Sequence, residues 1–314
     1  MKKILSSIGI AAALSLPISM LSSASYAAVP ESQDPIKIAV NEWTGQHLSA
    51  NITAAIFRKM GYTVELVTAG GLPQFIALAQ GELHANPEVW DNSITEAYTK
   101  AVDSGDIVIL GELGLDPKEG WIYPAYMEEK CPGLPSYKAL YDCAQAFATA
   151  ETFPNGRLIT YPADWGTRSK DVVAGTGLPF TPVAGGSEGA MIAELKSAFA
   201  AKEPILMMFW QPHWMFTEID PKWVEWNSIE GECVEENQSK DTACGFNQAK
   251  VSKIVSSILP QKWPAAAALL KRFTLSNAEQ NSMILAVDQK GEKLSSVVNQ
   301  WMVKNEAVWQ EWIK

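Results

Sequence analysis

Histidine is nearly absent from this chain of 314 residues. There are three, His47, His84 and His213, and no two stand at the spacing of a metal-binding pair. Cysteine is scarce too, and Cys131, Cys143, Cys233 and Cys244 form no C-x-x-C motif, so zinc is not expected and no other metal is assigned. Bases are outnumbered, 25 against 35 acids, a formal charge of −10. That excludes a nucleic-acid binder, whose affinity rests on cations facing phosphates. No G-x-x-x-x-G-K loop is present, so ATP hydrolysis and a bound nucleotide are not expected, and neither is any other cofactor. Beyond residue 27 no apolar run approaches the ~18 residues of a spanning helix. What is left is 47% apolar, enough to fill cores, and long enough for about two domains of ~150 residues.

The first 27 residues read as a cleaved export signal rather than as part of the fold. Lys2 and Lys3 precede the apolar stretch Ile8 to Leu16, and Ser25-Tyr26-Ala27 offers small residues where a signal peptidase reads. The mature chain then starts near Ala28 in the periplasm, and losing Lys2 and Lys3 leaves 23 bases against 35 acids. All four cysteines lie in the exported part, an even number suited to disulfides. Of three connectivities the simplest is local, Cys131 with Cys143 and Cys233 with Cys244. Each bond closes a short loop worth about 3 kcal/mol in the chain-entropy model.

Along the mature chain, short β-rich runs alternate with helical periodicity. Strands are expected at Ile36 to Val40, Tyr62 to Val67, Leu83 to Val89 and Ile107 to Leu110, with helices at Leu48 to Met60 and Pro73 to Gln80 between them. The pattern restarts with a helix from Ser136 to Phe147, strands at Arg157 to Tyr161, Thr181 to Val183 and Pro204 to Phe209, and a helix from Glu188 to Ala201. Beyond Cys244 the chain reads as helical, starting with Ala249 to Ile258. This is the grammar of two α/β lobes with parallel sheets and crossover helices.

Tryptophan is the one residue in surplus, with twelve. Trp223, Trp226, Trp263, Trp301, Trp309 and Trp312 sit where core residues sit. Trp43, Trp90 and Trp210 instead stand at carboxyl ends of predicted strands, and Trp165 four residues past another. Ligands of open α/β sheets bind outside those ends. Indole faces attract a cation through the ring quadrupole, roughly 0.5–2 kcal/mol per face. A quaternary ammonium suits such a cluster best because it has no N–H donors to leave unsatisfied. A sugar-stacking platform is the competing reading.

The segment Glu203-Pro204-Ile205 through Trp210-Gln211-Pro212-His213-Trp214-Met215-Phe216 resembles the signature of substrate-binding proteins for glycine betaine, proline betaine and choline, which serve ABC importers. Gly186-Ser187-Glu188, Gly120-Trp121 and Gly45 after Trp43-Thr44 fall where that family's landmarks fall. The resemblance covers most of residues 36 to 310. It implies an α/β, type II periplasmic-binding-protein fold with two lobes joined by a two-crossing hinge. Residues 28–115 plus 216–314 would form lobe 1, and 116–215 lobe 2. It implies a monomer that hands a small trimethylammonium-type solute to membrane permease and ATPase subunits. Trp43, Trp90, Trp165 and Trp210 would form the cage, with Trp121 or Tyr123 as a fifth wall and Glu119 facing the cleft. Glycine betaine leads, trimethylamine N-oxide follows and choline comes third. Choline-binding relatives carry an acid shortly after the first tryptophan, where this chain has Gly45. The Glu119 carboxylate would repel a betaine carboxylate but tolerate a cation or an N-oxide.

Two enzyme readings compete. Gly185-Gly186-Ser187-Glu188-Gly189 matches the G-x-S-x-G elbow of α/β-hydrolases, yet only His213 follows it, and Ser187 also suits a helix cap. Glu88 near Trp90 and Asp164 beside Trp165 are the carboxylates a secreted glycosidase would need. Neither enzyme reading explains the strand-end tryptophans, and no catalytic activity is expected.

Overall fold

A computed structural model of the chain describes residues 29–91, 94–226, 245–246 and 249–314. The predicted export signal and the Cys233–Cys244 pair lie outside the described residues. Eleven strands are described: β1 (Ile36–Val40), β2 (Val64–Thr68), β3 (Ala85–Trp90), β4 (Ile107–Glu112), β5 (Lys118–Pro124), β6 (Pro132–Pro135), β7 (Gly156–Thr160), β8 (Phe180–Ala184), β9 (Met207–Gln211), β10 (Pro221–Trp223) and β11 (Val251–Ser256). All but β6 build two five-stranded sheets, β2-β1-β3-β11-β4 and β10-β5-β9-β7-β8. In the first sheet β1 runs parallel to β2 and β3, while β11 lies antiparallel between β3 and β4. In the second, β7 is parallel to β8 and β9, and β5 is antiparallel to β9 and β10. The two lobes are an α/β periplasmic-binding-protein fold.

The parallel strands are joined by helices, as short crossovers require. Helix Thr44–Lys59 follows β1 and buries Leu48, Ile52, Ile56 and Phe57 on the first sheet. Helix Glu188–Ala201 follows β8; the Ser187 hydroxyl accepts from the Ala190 N–H, an N-cap of the kind worth about 1 kcal/mol. Ser187 is thus a capping residue, and His213 makes its hydrogen bond to Glu188 instead. C-terminal helices Pro264–Arg272, Asn277–Asp288 and Leu294–Lys304 return to the first lobe.

Three expectations change. Ala249 to Ile258 is not a helix: Val251–Ser256 is β11, buried in the middle of the first sheet. The helix expected over Ser136 to Phe147 is three short turns, Tyr137–Ala139, Leu140–Cys143 and Ala144–Phe147, tied to Cys131 by the Cys131–Cys143 disulfide. β5 lies where the sequence suggests only a crossing. β10 pairs with β5 in the second sheet, where Trp223 stacks on Phe216. No helix among the described residues is long and apolar enough to cross a membrane.

His84 provides a test of the first lobe. Its ring is buried against Trp263, and its Nδ1 accepts the Lys37 N–H at 2.9 Å. Burial, reinforced by the charges of Lys37 and Lys262, pushes its pKa down to about 4. The unfolded chain gains a proton below pH ~6.5 that the folded chain refuses, so stability falls from pH 6.5 to 4, by on the order of 3 kcal/mol. His84→Gln keeps an acceptor for Lys37 and should lose less stability between pH 7.5 and 4.5 than the wild type, measured by urea unfolding.

Candidate ligand-binding site

Four tryptophans converge between the lobes. Trp43 stands between β1 and helix Thr44–Lys59, Trp90 is the last residue of β3, Trp165 lies in the turn after β7, and Trp210 is in β9. With Tyr161 and Glu119 they line a narrow pocket. The rings meet edge to face: Trp43 lies 5.1 Å from Trp165, Trp165 5.8 Å from Trp210, and Tyr161 5.7 and 5.5 Å from Trp165 and Trp210. Interplanar angles of 54–73° turn the ring faces in different directions, as a cage around one small body requires.

A buried carboxylate sets the two lobe-1 rings. Glu88, on β3, is 1% exposed. Its Oε1 accepts the indole N–H of Trp43 at 2.9 Å and of Trp90 at 3.2 Å. Its Oε2 accepts the Ser49 hydroxyl at 2.5 Å and the Gln280 amide at 2.7 Å, the latter from helix Asn277–Asp288. Burial pushes the Glu88 carboxyl up, and these four donors oppose that shift. A side chain added at Gly45 would meet Gln280 Nε2 at 3.2 Å and Glu88 Oε1 at 3.3 Å, so an acid there would collide with the network. Glu88 is therefore bound behind the rings, away from the cavity lining. Asp164 does not line it either; its carboxyl is pushed up by burial and by neighbouring Glu42.

Glu119 lies opposite Trp210 in the β5–β9 ladder and is 5% exposed. It accepts the Tyr161 hydroxyl at 2.7 Å. Burial, then the charge of Glu119, holds the Tyr161 phenol well above its usual pKa, so it remains a donor. Tyr161 was missed in the sequence, although it follows a strand and precedes Trp165 by four residues. The proposed fifth wall is absent from the cavity. Trp121 is wholly buried in the core of the second lobe, donating to Ser169 Oγ and packing edge-on against Trp226. Tyr123 is buried in the same core with its hydroxyl on Glu128. The reason is β5, which carries both residues away from the cleft.

The lobes touch across the cleft. Trp165 donates across the cleft to Glu42 at 3.0 Å. Glu188, from the second lobe, accepts the Thr44 N–H at 2.9 Å and so caps helix Thr44–Lys59. Asp288 approaches the same point and accepts from Thr44 Oγ1 and Trp214. Ligand atoms of Glu188, His213 and Asp288 lie within 4.8 Å of one another. His213 Nδ1 accepts the Met215 N–H, however, so Nε2 carries the proton it donates to Glu188 and has no lone pair for a metal. The cluster is a hydrogen-bonded clasp.

Residues 34–304 match the family model described as the substrate-binding domain of ABC-type glycine betaine transport systems. The chain belongs to this family. It is accordingly a binding protein rather than an enzyme, and a component of an ABC transporter. A protein of Pelagibacter ubique (strain HTCC1062) named trimethylamine N-oxide-binding protein is 29% identical over the whole of both chains. Solved relatives share the fold. The closed, glycine betaine-bound lactococcal protein has a TM-score of 0.72 at 19% identity, covering 90% of this chain and 100% of its own. The Borrelia burgdorferi glycine betaine/L-proline-binding protein has 0.74 at 21%, covering 90% and 97%. A choline-binding protein in complex with choline has 0.74 at 15%, covering 90% and 93%.

The clasp has a distinct signature. Glu188→Ala removes the charged hydrogen bond from the Thr44 N–H that joins the two lobes, worth ~1.5–3 kcal/mol, along with the bond to His213 inside the second lobe. It should weaken all ligands by about tenfold without reordering them, as read by titration calorimetry. By contrast, a change of ligand order would show that Glu188 acts on the cavity itself.

Proposed function

We propose that this chain captures a small trimethylammonium-type osmolyte for an ABC importer, with trimethylamine N-oxide ahead of glycine betaine and choline. The observation that carries the reading is a cage of four indoles whose one charged lining residue is an acid, Glu119. Methyl groups on a positive nitrogen fit the ring faces, at roughly 0.5–2 kcal/mol per face. An N-oxide oxygen is small and asks for one donated proton, and the Tyr161 hydroxyl is the donor in the lining. A betaine carboxylate would place a second negative charge there, costing about 4 kcal/mol at 4 Å and an effective dielectric of 20. The order therefore differs from the one the sequence favours. The full-length likeness to the Pelagibacter protein supports the same order.

Choline is the second reading, because its hydroxyl would donate to Glu119. A sugar is disfavoured: the N–H groups of Trp43, Trp90 and Trp165 are engaged by carboxylates, leaving a polyol few partners in the lining. On this proposal the chain is exported by its leader to the periplasm. There it works as a monomer and delivers the closed, loaded form to permease and ATPase subunits.

Titration calorimetry of the mature protein with the three solutes tests this. Micromolar or tighter binding of trimethylamine N-oxide, stronger than of the other two, is expected. Heat from none of them, with the protein folded, would discard the cage. Trp43→Ala, Trp90→Ala and Trp210→Ala should each weaken the best ligand tenfold or more while the fold survives. Trp309→Ala should lower stability alone, since Trp309 is buried among the C-terminal helices and donates to Met302. Glu119→Gln should raise the ratio of glycine betaine to trimethylamine N-oxide affinity by about tenfold or more; an unchanged ratio would remove Glu119 from ligand selection.

A further inference from the structure

Three of the four cage indoles donate their N–H to a carboxylate. Trp43 and Trp90 share Glu88 Oε1, at 2.9 and 3.2 Å, and Trp165 donates to Glu42 Oε2 at 3.0 Å. The two acids reach the cage from behind and from opposite situations. Glu88 is buried and belongs to the same strand as Trp90, whereas Glu42 is exposed and reaches the lobe-2 ring across the cleft. Neither lines the cavity.

A hydrogen bond polarises both of its partners, and it does so most when the acceptor is charged and water is excluded. An indole whose N–H is held by a carboxylate carries more electron density on its ring, which deepens the negative potential that a cation meets on the face. The acceptor's own charge adds attraction through the low-dielectric side of the cage. Three of the four partners of Glu88, the two indoles and the Gln280 amide, can only donate in this arrangement, as an anion requires.

We propose that Glu88 and Glu42 are positioning residues that charge the cage: their carboxylates, bonded to the rims of Trp43, Trp90 and Trp165, make the ring faces discriminate a positive nitrogen from a neutral carbon of the same shape. The proposal rests on the cage reading above and adds the source of its selectivity. Glu88 contributes more than Glu42, because solvent screens the exposed carboxylate.

The test uses a matched pair of probes. Trimethylamine N-oxide and tert-butanol have nearly the same shape, with N⁺–O⁻ in one replaced by C–OH in the other. Their affinities are measured for the full mature protein, for Glu88→Gln and for Glu42→Gln, by calorimetry for the first probe and by its displacement for the second. Gln keeps a carbonyl to accept the indole N–H bonds and removes the charge; at Glu88 its NH2 takes the place of Oε2, to which Ser49 can turn a lone pair and Gln280 its carbonyl oxygen. Glu88→Gln is expected to weaken trimethylamine N-oxide about tenfold and tert-butanol less than twofold, and Glu42→Gln to give a smaller split in the same direction. In ¹⁵N-tryptophan-labelled protein, the indole N–H resonances of Trp43 and Trp90 should shift in Glu88→Gln while that of Trp309 stays in place. Parallel weakening of both probes would mean that the carboxylates only hold the rings still, and would overturn the proposal. So would unchanged affinity for both. Should Glu88→Gln not fold, Glu42→Gln alone decides, since its exposed site carries no core. If wild-type protein binds none of the three solutes, the cage reading has failed; wild-type binding with no split in the variants fails this proposal alone.

Discussion

A carboxylate buried without a cation is among the most costly groups a fold can hold. In this protein Glu88 is such a group, and the first lobe is organised around the donors that compensate it. Those donors come from three places: the turn after β1 and the helix it starts (Trp43 and Ser49), β3 itself (Trp90), and the C-terminal helix Asn277–Asp288 (Gln280). The same bonds that offset its burial lock the two indoles. A neighbouring network of Asn41, Gln46, Gln74 and Asn86 continues the polar seam toward β2 through Ala69, so ring orientation is tied to the sheet and not left to packing. Moving either ring would strand a buried acceptor, which is why the cage needs no further bracing on this side.

The second lobe meets this rigid half through hydrogen bonds and ring contacts across the cleft. Trp165 reaches Glu42, Trp43 lies edge-on to Trp165, and Glu188 caps the helix behind Trp43. Each joins a residue whose position is already fixed within its own lobe. On the proposed reading, closure is a choice between two rigid arrangements, and a ligand would shift it by the contacts it gains from the second set of rings. A small cation would suit that device because it would touch rings from both lobes at once.

Much of the site was legible because its residues sit where chain direction places them. Strand ends in an α/β lobe converge on one cleft, so tryptophans at three or four such ends could be grouped without coordinates. The failures have specific causes. Val251, Ile254, Val255 and Ile258 stand at helical spacing, yet the first three belong to β11. There the register shifts between Ser252 and Ile254 and breaks simple alternation. Buried Lys253 hid the strand further: its ammonium reaches the Lys271 and Phe273 carbonyls at a helix end, and burial pushes its pKa down to about 8. Trp121 and Tyr123 read as cleft residues because nothing in the sequence announces β5. Tyr161 does not stand out because tyrosine is common in strands, and only its bond to Glu119 marks it out.

The indole N–H groups explain why a site made of potential donors reads as a site for a ligand that offers none. Free indole N–H groups in the cavity would bind hydroxyls and carboxylates, and a polyol would compete with a methylated nitrogen. Here the carboxylates behind the rings occupy the N–H groups of Trp43, Trp90 and Trp165, leaving the faces of those rings to act. The remaining polar function is the Glu119–Tyr161 pair, an acceptor held by a donor. One set of acids thus fixes the rings and removes their hydrogen bonding from the lumen. On the proposed reading, the division of labour, ring faces for the methyl groups and the Glu119–Tyr161 pair for the ligand's single polar atom, follows from where the N–H groups point.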